Sequence, residues 1–539
     1  MATAQGTAAQ GIENGAKVAK PGMFDSISNL LLPVTTYLRS YVESNRIDID
    51  LLYMVTYMNS IATADIARDE IFKRVSERDE FVCSKYMGQV YKLAKNWNYE
   101  YSVACMIVSR RVANKRLKDL LARLANAMSS GEPEKKFLEN EWTTMMTIYK
   151  SEYERSLESL KKWTDAFTAL LVSMAFISVT VLLSVILYNL GDPQTTLNTT
   201  IFLVAMVGGI GIFVMRSEAP KEAKTHHHKY CSIEQKQVKD MGMILVPAAV
   251  LIGLFLYILS VNVGFILIVI GLLIAPIGFV GMKDDRNIDL RDKDFSQFTK
   301  MLGSIVGGMG ITVKEGISKV DQKSIGTLEP LVKRLYVQLM MGLDQRLCWS
   351  KFVGLSGSDL IDKFTYIFLD ALDLGGDATK IGKLVNSTNL EVVLLRMKRK
   401  LVSSSFTTLV IPLHVSMSAL IVFIVEILII FSSMINKLYS TMDGFSVSGG
   451  SGATGLSTAA LGFNLFQNVP VDFLQFYSIA VVVTLTIINT IAAKVVEGGN
   501  NYKLCYYGSI MSVLSGLSLI IVPIVVQAIF SFPTMTGGV

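Results

Sequence analysis

The chain has 539 residues, half of them apolar, and only 18% are charged, where a soluble chain would carry roughly a quarter. The charges gather in two blocks and are missing from long runs elsewhere, which excludes an ordinary soluble protein and describes a polytopic membrane protein with soluble insertions. The net charge of +6 is small, and its placement says more than its size.

Residues 1–47 read as a tail, disordered over 1–22 where there is little to bury, with an apolar helical face from Phe24 to Val42 that Pro33 bends or breaks. That face suits the membrane surface or packing on its own domain about equally. The first twenty residues lack the pattern of a cleavable signal peptide. Residues 48–165 read as a first cytosolic helical domain. Its helices open at Leu51, run from Glu80 to Trp97 and from Tyr101 to Met128, and stop at Ser130-Gly131. Glu132-Pro133-Glu134 then suits a new helix start, and that helix is expected to continue through Trp163 into the membrane.

Seven apolar segments follow, at about 166–190, 198–215, 242–260, 262–282, 405–435, 475–493 and 508–531. Most reach the ~20 residues needed to cross a bilayer. Gly208, Gly209 and Gly211 in the second allow close helix packing. Ser260-Val261-Asn262 is too short for anything but a turn, so the third and fourth form a hairpin. The organisation is therefore a four-helix membrane block at 166–282 with a cytosolic loop at 216–241, a second cytosolic helical domain at 283–404, and a three-helix block at 405–539 with an external loop at 436–474. Lysine and arginine concentrate in residues 1–165, 216–241 and 283–404. The opposite connections carry one basic residue, Lys437. The positive-inside rule thus places the amino terminus in the cytosol and the carboxyl terminus outside. The five cysteines, Cys83, Cys105, Cys231, Cys348 and Cys505, have no CxxC spacing and read as reduced thiols.

In the second domain, Asp284 to Asp294 reads as a mixed-charge linker. Gly303, Gly307, Gly308 and Gly310 then break or tighten a helix. Glu329-Pro330 starts another, Leu355-Ser356-Gly357 ends it, and Ser358 caps the next, which stops at Gly375-Gly376. This plan repeats the first domain with an offset of about 244 positions. Asp50 matches Asp294, Ser60-Ile61 matches Ser304-Ile305, Glu70 matches Glu315, and Ala127 and Gly131 match Ala371 and Gly375. Within the spans, Val172-Ser173-Met174 matches Val415-Ser416-Met417. The fold class is all-α: seven transmembrane helices and two repeated cytosolic helical bundles.

The chain shows no GxxxxGK[ST] loop, and Gly307-Gly308-Met309-Gly310 follows no strand, so no nucleotide site is read. His226-His227-His228 reads as a polar loop, because adjacent histidines converge poorly on one metal. His414 and Glu426, with Asn489, are polar groups inside apolar spans; interhelical hydrogen bonding is the favoured role over an ion path. Arg110, Arg111, Lys115 and Arg116, with Lys314, Lys319, Lys333, Arg334, Arg396, Lys398, Arg399 and Lys400, form the basic set. They suit either anionic lipid or an acidic cytosolic partner. No nucleophile, metal set or acid–base constellation stands out, so the chain reads as no enzyme and needs no cofactor. Nucleic acid is unexpected, since nothing resembles a groove-reading module.

This arrangement resembles the inner-membrane platform proteins of type II secretion and type IV pilus machines. Gly310-Ile311-Thr312-Val313-Lys314-Glu315-Gly316-Ile317 resembles a segment of that family's domain, and Asp65-Ile66-Ala67-Arg68-Asp69-Glu70-Ile71 is its first-half counterpart, with Asp65 where the glycine would be. The seven spans look like the archaellum assembly platforms within the family. The resemblance implies a non-catalytic platform beneath a filament of pilin-like subunits (archaellins). It also implies a hexameric secretion ATPase on the cytosolic face, a homodimer, and a place in the cell membrane. A platform for a non-rotating adhesion pilus or a type II-like secretion system shares the fold. A secondary transporter is the alternative from another class.

Overall fold

The computed structural model describes residues 50–78, 80–188, 193–226, 228–448 and 471–530. The amino-terminal tail, His227 and residues 449–470 of the expected external loop lie outside the described residues. Among the described residues every regular element is helical. The chain divides into two compact units, residues 1–54 with 72–132 and residues 55–71 with 133–539.

The first unit is built on α3 (Ser84–Trp97), α4 (Tyr101–Ser109) and α5 (Lys115–Ser129), preceded in the chain by α1 (50–62) and α2 (Arg68–Ser76). The single helix expected over Tyr101–Met128 is two helices. Asn114 turns extended and its side chain accepts the Leu117 backbone N–H, at 3.0 Å. That cap competes with helix continuation and starts α5. Leu117, Leu120, Leu121 and Leu124 then form the buried face of α5.

In the second unit three helices run unbroken from outside the bilayer into it: α6 (Glu134–Tyr188), α9 (Val263–Met309) and α14 (Ala378–Ser448). At 1.5 Å per residue they are about 80, 70 and 105 Å long, against ~30 Å of hydrocarbon. The linker expected at Asp284–Asp294 is instead the middle of α9. Gly303 and Gly307 do not break that helix either. They let α14 approach, because a β-carbon at Gly303 would sit 2.5 Å from the Ala378 carbonyl oxygen. Only Gly310, with φ +64°, ends it. Then come α10 (Val313–Lys319), a 3-10 turn (Gln322–Leu328), α11 (Glu329–Met340), α12 (Gln345–Ser356) and α13 (Asp359–Asp373). Ser358 caps α13 through the Leu360 and Ile361 N–H groups.

The repeat extends to the turns. Asp50 accepts the Val82 N–H at 3.3 Å, and Asp294 accepts the Thr327 N–H at 2.7 Å. Asn114 and Ser358 cap equivalent helices. Asp65 (φ 51°) takes the same left-handed conformation as Gly310, and Asn98 (φ 54°) the same as Gly342 (φ 75°). The first half thus makes the glycine turn with Asp65, whose short polar side chain tolerates this region.

The membrane block holds seven helices long and apolar enough to cross: α6, α7 (Pro193–Glu218), α8 (Ile233–Ile258), α9, α14, α15 (Val471–Glu497) and α16 (Lys503–Phe530). Along α9, Gly264, Gly271 and Gly278 recur every seventh residue and face α16 so closely that a β-carbon would strike Gly516, Val513 or Tyr506. This is the small-residue interface that packs helices where lipid removes any hydrophobic drive between them. Gly208 and Gly211 of α7 serve the same end against Ile488 of α15 and Phe167 of α6. The α8–α9 hairpin forms with Ser260 at φ 57° and the Asn262 side chain capping α9. Along α8, Met243, Ile244, Val250, Leu251, Leu254 and Phe255 are exposed apolar side chains, a lipid-facing surface.

Candidate functional site

Where α9 and α14 leave the apolar region, ten charged side chains converge from four places: the 219–232 loop, α9, α14 and the end of α15 with the start of α16. Arg396 lies at the centre. Its Nε donates to Glu222 at 3.0 Å, its Nη1 to Asp292 at 2.9 Å, and its Nη2 to the Ala223 carbonyl at 2.9 Å. Arg399, one turn on, donates to the Pro220, Val495 and Val496 carbonyls at 2.7, 3.3 and 3.2 Å and touches Glu222 at 3.4 Å. Its guanidinium lies against Gly498 (φ +72°), where a β-carbon would collide with it. Lys224 bridges Asp285 and Asp289 at 2.8 and 2.6 Å. Lys503 bridges Asp285 and Glu497, both at 3.0 Å. Lys400 closes the ring on Asp289 at 3.3 Å. Five acids thus meet five bases, and the cluster is formally neutral.

Burial and pairing compete over each proton. Burial pushes the Glu222 carboxyl up, but Arg396 and Arg399 outweigh it and hold the group below its ordinary value. Asp285 behaves alike, with burial overcome by Lys224 and Lys503. Burial of Lys224 is overcome by Asp285 and Asp289, which raise it. Asp292 goes the other way: burial outweighs Arg396 and the Ser358 hydroxyl and lifts it to about 6. The sign for stability differs accordingly. Asp292 binds its proton more tightly folded than unfolded, so it favours the fold below its ordinary 3.8 and loses that contribution as pH rises through about 6. Glu222 and Asp285 contribute above their ordinary values and lose it as pH falls through their depressed ones. Thermal unfolding of the purified protein should therefore hold or rise from pH 7 to pH 5, then fall steeply below about 4. Asp292→Asn should abolish any rise; a monotonic decline from pH 7 in the wild type would contradict this assignment.

This geometry corrects the reading of the basic set. Arg396 and Arg399 are 8% and 6% exposed. They hold the protein's own acids and carbonyls, so neither offers charge to a partner. Lys398 and Lys400, in the same run, are half exposed, and Lys398 pairs with Glu154 of α6. Arg110, Arg111, Lys115, Lys314, Lys319, Lys333 and Arg334 are exposed, and Arg116 is half-buried. His226 is buried and bonds the Gly354 carbonyl at 3.1 Å, while His228 meets Asp362 at 2.8 Å. The partners Glu222, Lys224, Glu497 and Lys503 carry no local signal. Asp285, Asp289 and Asp292 do: spaced by four and three just past a span, they share one helix face.

Inside the membrane, His414 and Asn489 come together and Glu426 stays apart. His414 Nε2 bonds the Ser515 hydroxyl at 2.7 Å, Asn489 Nδ2 meets His414 Nδ1 at 3.0 Å, and Thr486 reaches Ser515 at 2.6 Å. The group ties α14, α15 and α16. Glu426 accepts from Gln527 of α16 at 2.8 Å. Truncation of His414 to Ala should cost about 1–2 kcal/mol, the range for interhelical polar contacts, with His414→Gln nearer wild type. Unfolding in detergent against added SDS measures both. Equal stability of all three proteins would rule out a structural role.

Along the extramembrane stretch, α6 and α14 lie side by side and parallel. Trp142 Nε1 donates to Thr388 at 3.1 Å, Lys150 pairs with Glu391 at 2.9 Å, and Tyr153 and Leu157 bury against Leu395. Tyr153 also donates to Glu222 at 3.1 Å, which joins this ladder to the charge cluster.

No family model and no solved structure matches the chain. Two curated proteins do, over most of its length. One, from Methanocaldococcus jannaschii, is 25% identical over 504 residues, covering 88% of this chain and 85% of its own. Another, from Methanococcus voltae, is 21% identical over 446 residues, 78% of each chain. Both are named flagella accessory protein J.

Proposed function

We propose, from the premise that this multi-pass membrane protein is a relative of the flagella accessory J proteins, that it is the membrane platform of an archaellum. In this reading it catalyses nothing. A hexameric secretion ATPase acts on its cytosolic domains, and the movement reaches the membrane block, where pilin-like subunits (archaellins) join the filament. Rotation of the filament would use the same route. The amino terminus is cytosolic, the carboxyl terminus external, and the working form a homodimer in the cell membrane.

The observation that carries this is the continuity of α6, α9 and α14. A helix is stiff over such lengths, whereas a loop at the membrane surface would absorb displacement. The α6–α14 ladder and the ten-charge cluster bind these rods together just where they enter the bilayer. The intramembrane group around His414 is what a transporter reading would build on, and it is enclosed by three helices rather than set at broken ones.

Deletion of the chromosomal copy should remove archaella, counted by electron microscopy, with rescue by the wild-type chain. Intact archaella with loss of adhesion pili would transfer the platform role to the pilus. Intact filaments of both kinds would overturn the reading.

A further inference from the structure

The repeat exposes the same apolar turn twice. In the first domain α3 ends at Trp97, Asn98 turns left-handed, and Tyr99 and Val103 follow. In the second, α11 ends beside Met341, Gly342 turns left-handed, and Leu343 and Leu347 follow. These are equivalent positions, each 244 residues apart. Their exposures also match: Trp97 72% and Met341 73%, Tyr99 44% and Leu343 45%, Val103 44% and Leu347 42%. The residue two beyond a left-handed helix end ordinarily folds back onto the helix; here it is left half in water in both copies. Large apolar side chains scatter singly over any surface without meaning. Three at one turn, retained at both copies while every identity differs, are a recognition element.

The flanking charge states the partner's chemistry. In the second domain Lys333, Val337 and Met341 lie four residues apart along α11 and so share one face, and Arg334 is beside them. Lys333, Arg334 and Val337 are exposed. On the other side of the turn Arg346 is exposed as well. In the first domain the exposed charged neighbours are Lys92, Lys95 and Glu100, and each turn carries one acid at the equivalent position, Glu100 and Asp344, the latter capping α12. Bases outnumber acids around each knob, and an apolar knob with a mainly basic collar fits a shallow apolar socket with an acidic rim. A chain that carries one such knob on each of two domains is matched by a partner carrying one such socket on each of several subunits.

We propose that the 97–103 and 341–347 turns are two equivalent docking knobs for apolar, acid-rimmed sockets repeated around a homo-oligomeric cytosolic protein. This rests on the platform reading, in which that protein is the hexameric secretion ATPase, and it assigns the contact to apolar turns rather than to the basic residues alone.

The test uses the full chain in nanodiscs of neutral lipid and the purified hexameric ATPase of the same cell as probe. Affinity is read for the wild type and for two triple variants, Trp97→Gln with Tyr99→Gln and Val103→Gln, and Met341→Gln with Leu343→Gln and Leu347→Gln. All six side chains are exposed, so thermal unfolding should match the wild type and exclude misfolding as a cause. Each triple variant should weaken binding at least tenfold, and the six-fold variant should abolish it. Lys333→Glu with Arg334→Glu should weaken binding and flatten its salt dependence. Wild-type binding with no loss in either triple variant overturns the knobs and leaves the platform reading intact. No wild-type binding overturns the platform reading itself. Protection of both turns from hydrogen exchange by added anionic vesicles, but not by the ATPase, overturns the proposal in favour of a lipid surface.

Discussion

Replacing Arg396 with alanine should destabilise the protein by about 3–5 kcal/mol, the cost of leaving buried charges without their partner. The reason is specific. Arg396 is the counter-charge of both Glu222 and Asp292, whose side chains are 12% and 1% exposed, and it donates to the Ala223 carbonyl besides. Without it, both acids must take up protons or draw water into the cluster. Lys398→Ala is the matched control. Its partner Glu154 is 40% exposed, and an exposed pair contributes about 0–1 kcal/mol. Unfolding in mixed micelles with added SDS separates the two variants. If Arg396→Ala unfolds within 1 kcal/mol of the wild type (about the value expected for Lys398→Ala), the cluster does not hold the fold together. Asp292→Asn should restore part of the stability lost in Arg396→Ala, because it removes one of the two stranded charges.

A proline at Leu401 should abolish filament assembly while leaving the protein in the membrane. Leu401 is exposed and lies on α14 between the charge cluster and the span. Proline there removes one backbone hydrogen bond, clashes with the preceding turn and kinks the rod, at a cost of about 3 kcal/mol. Leu401→Ala keeps the helix and should assemble filaments normally. The measurement is filament number per cell beside the amount of protein in the membrane fraction. Wild-type filament numbers in the proline variant would show that a rigid α14 is not needed. Pro412 already sits in α14, about three turns on, inside the apolar span. The claim therefore concerns the stretch outside the apolar span, where α14 is tied to α6 and α9 and a kink would pull those contacts apart.

Much of this was legible in the sequence because its signals are local. Seven apolar runs give seven spans, since the bilayer sets their length. Ser358, Glu329-Pro330 and Gly375 mark helix ends through caps and backbone freedom that depend on a few neighbours. The repeat of Asp50 and Asp294 was visible as identity. What stayed hidden is non-local. Arg396 and Lys398 are two residues apart in the same basic run, yet one is buried and the other exposed. Only helix phase and partners over a hundred residues away separate them: Asp292 on α9 and Glu222 in a loop. The linker expected at Asp284–Asp294 failed for the same reason. Its acids look like solvated chain until Lys224 and Lys503 supply the charges that let them lie along a buried helix face. Ser515 gave no signal at all, because serine is common in spans and satisfies itself on its own helix unless a neighbour such as His414 calls on it.

The parallel ladder between α6 and α14 carries one further consequence. Glu154 and Lys398, which pair across it, are the same position in the two halves of the repeat, 244 residues apart. Two separate half-length chains related by a twofold axis would set that position against itself, acid facing acid or base facing base. A symmetric dimer cannot make an ion pair there. With both halves in one polypeptide the two copies differ, and one carries the acid and the other the base. The pair is thus a contact that a symmetric homodimer of half-length chains could not make, and within one polypeptide it holds the two rods in a single register.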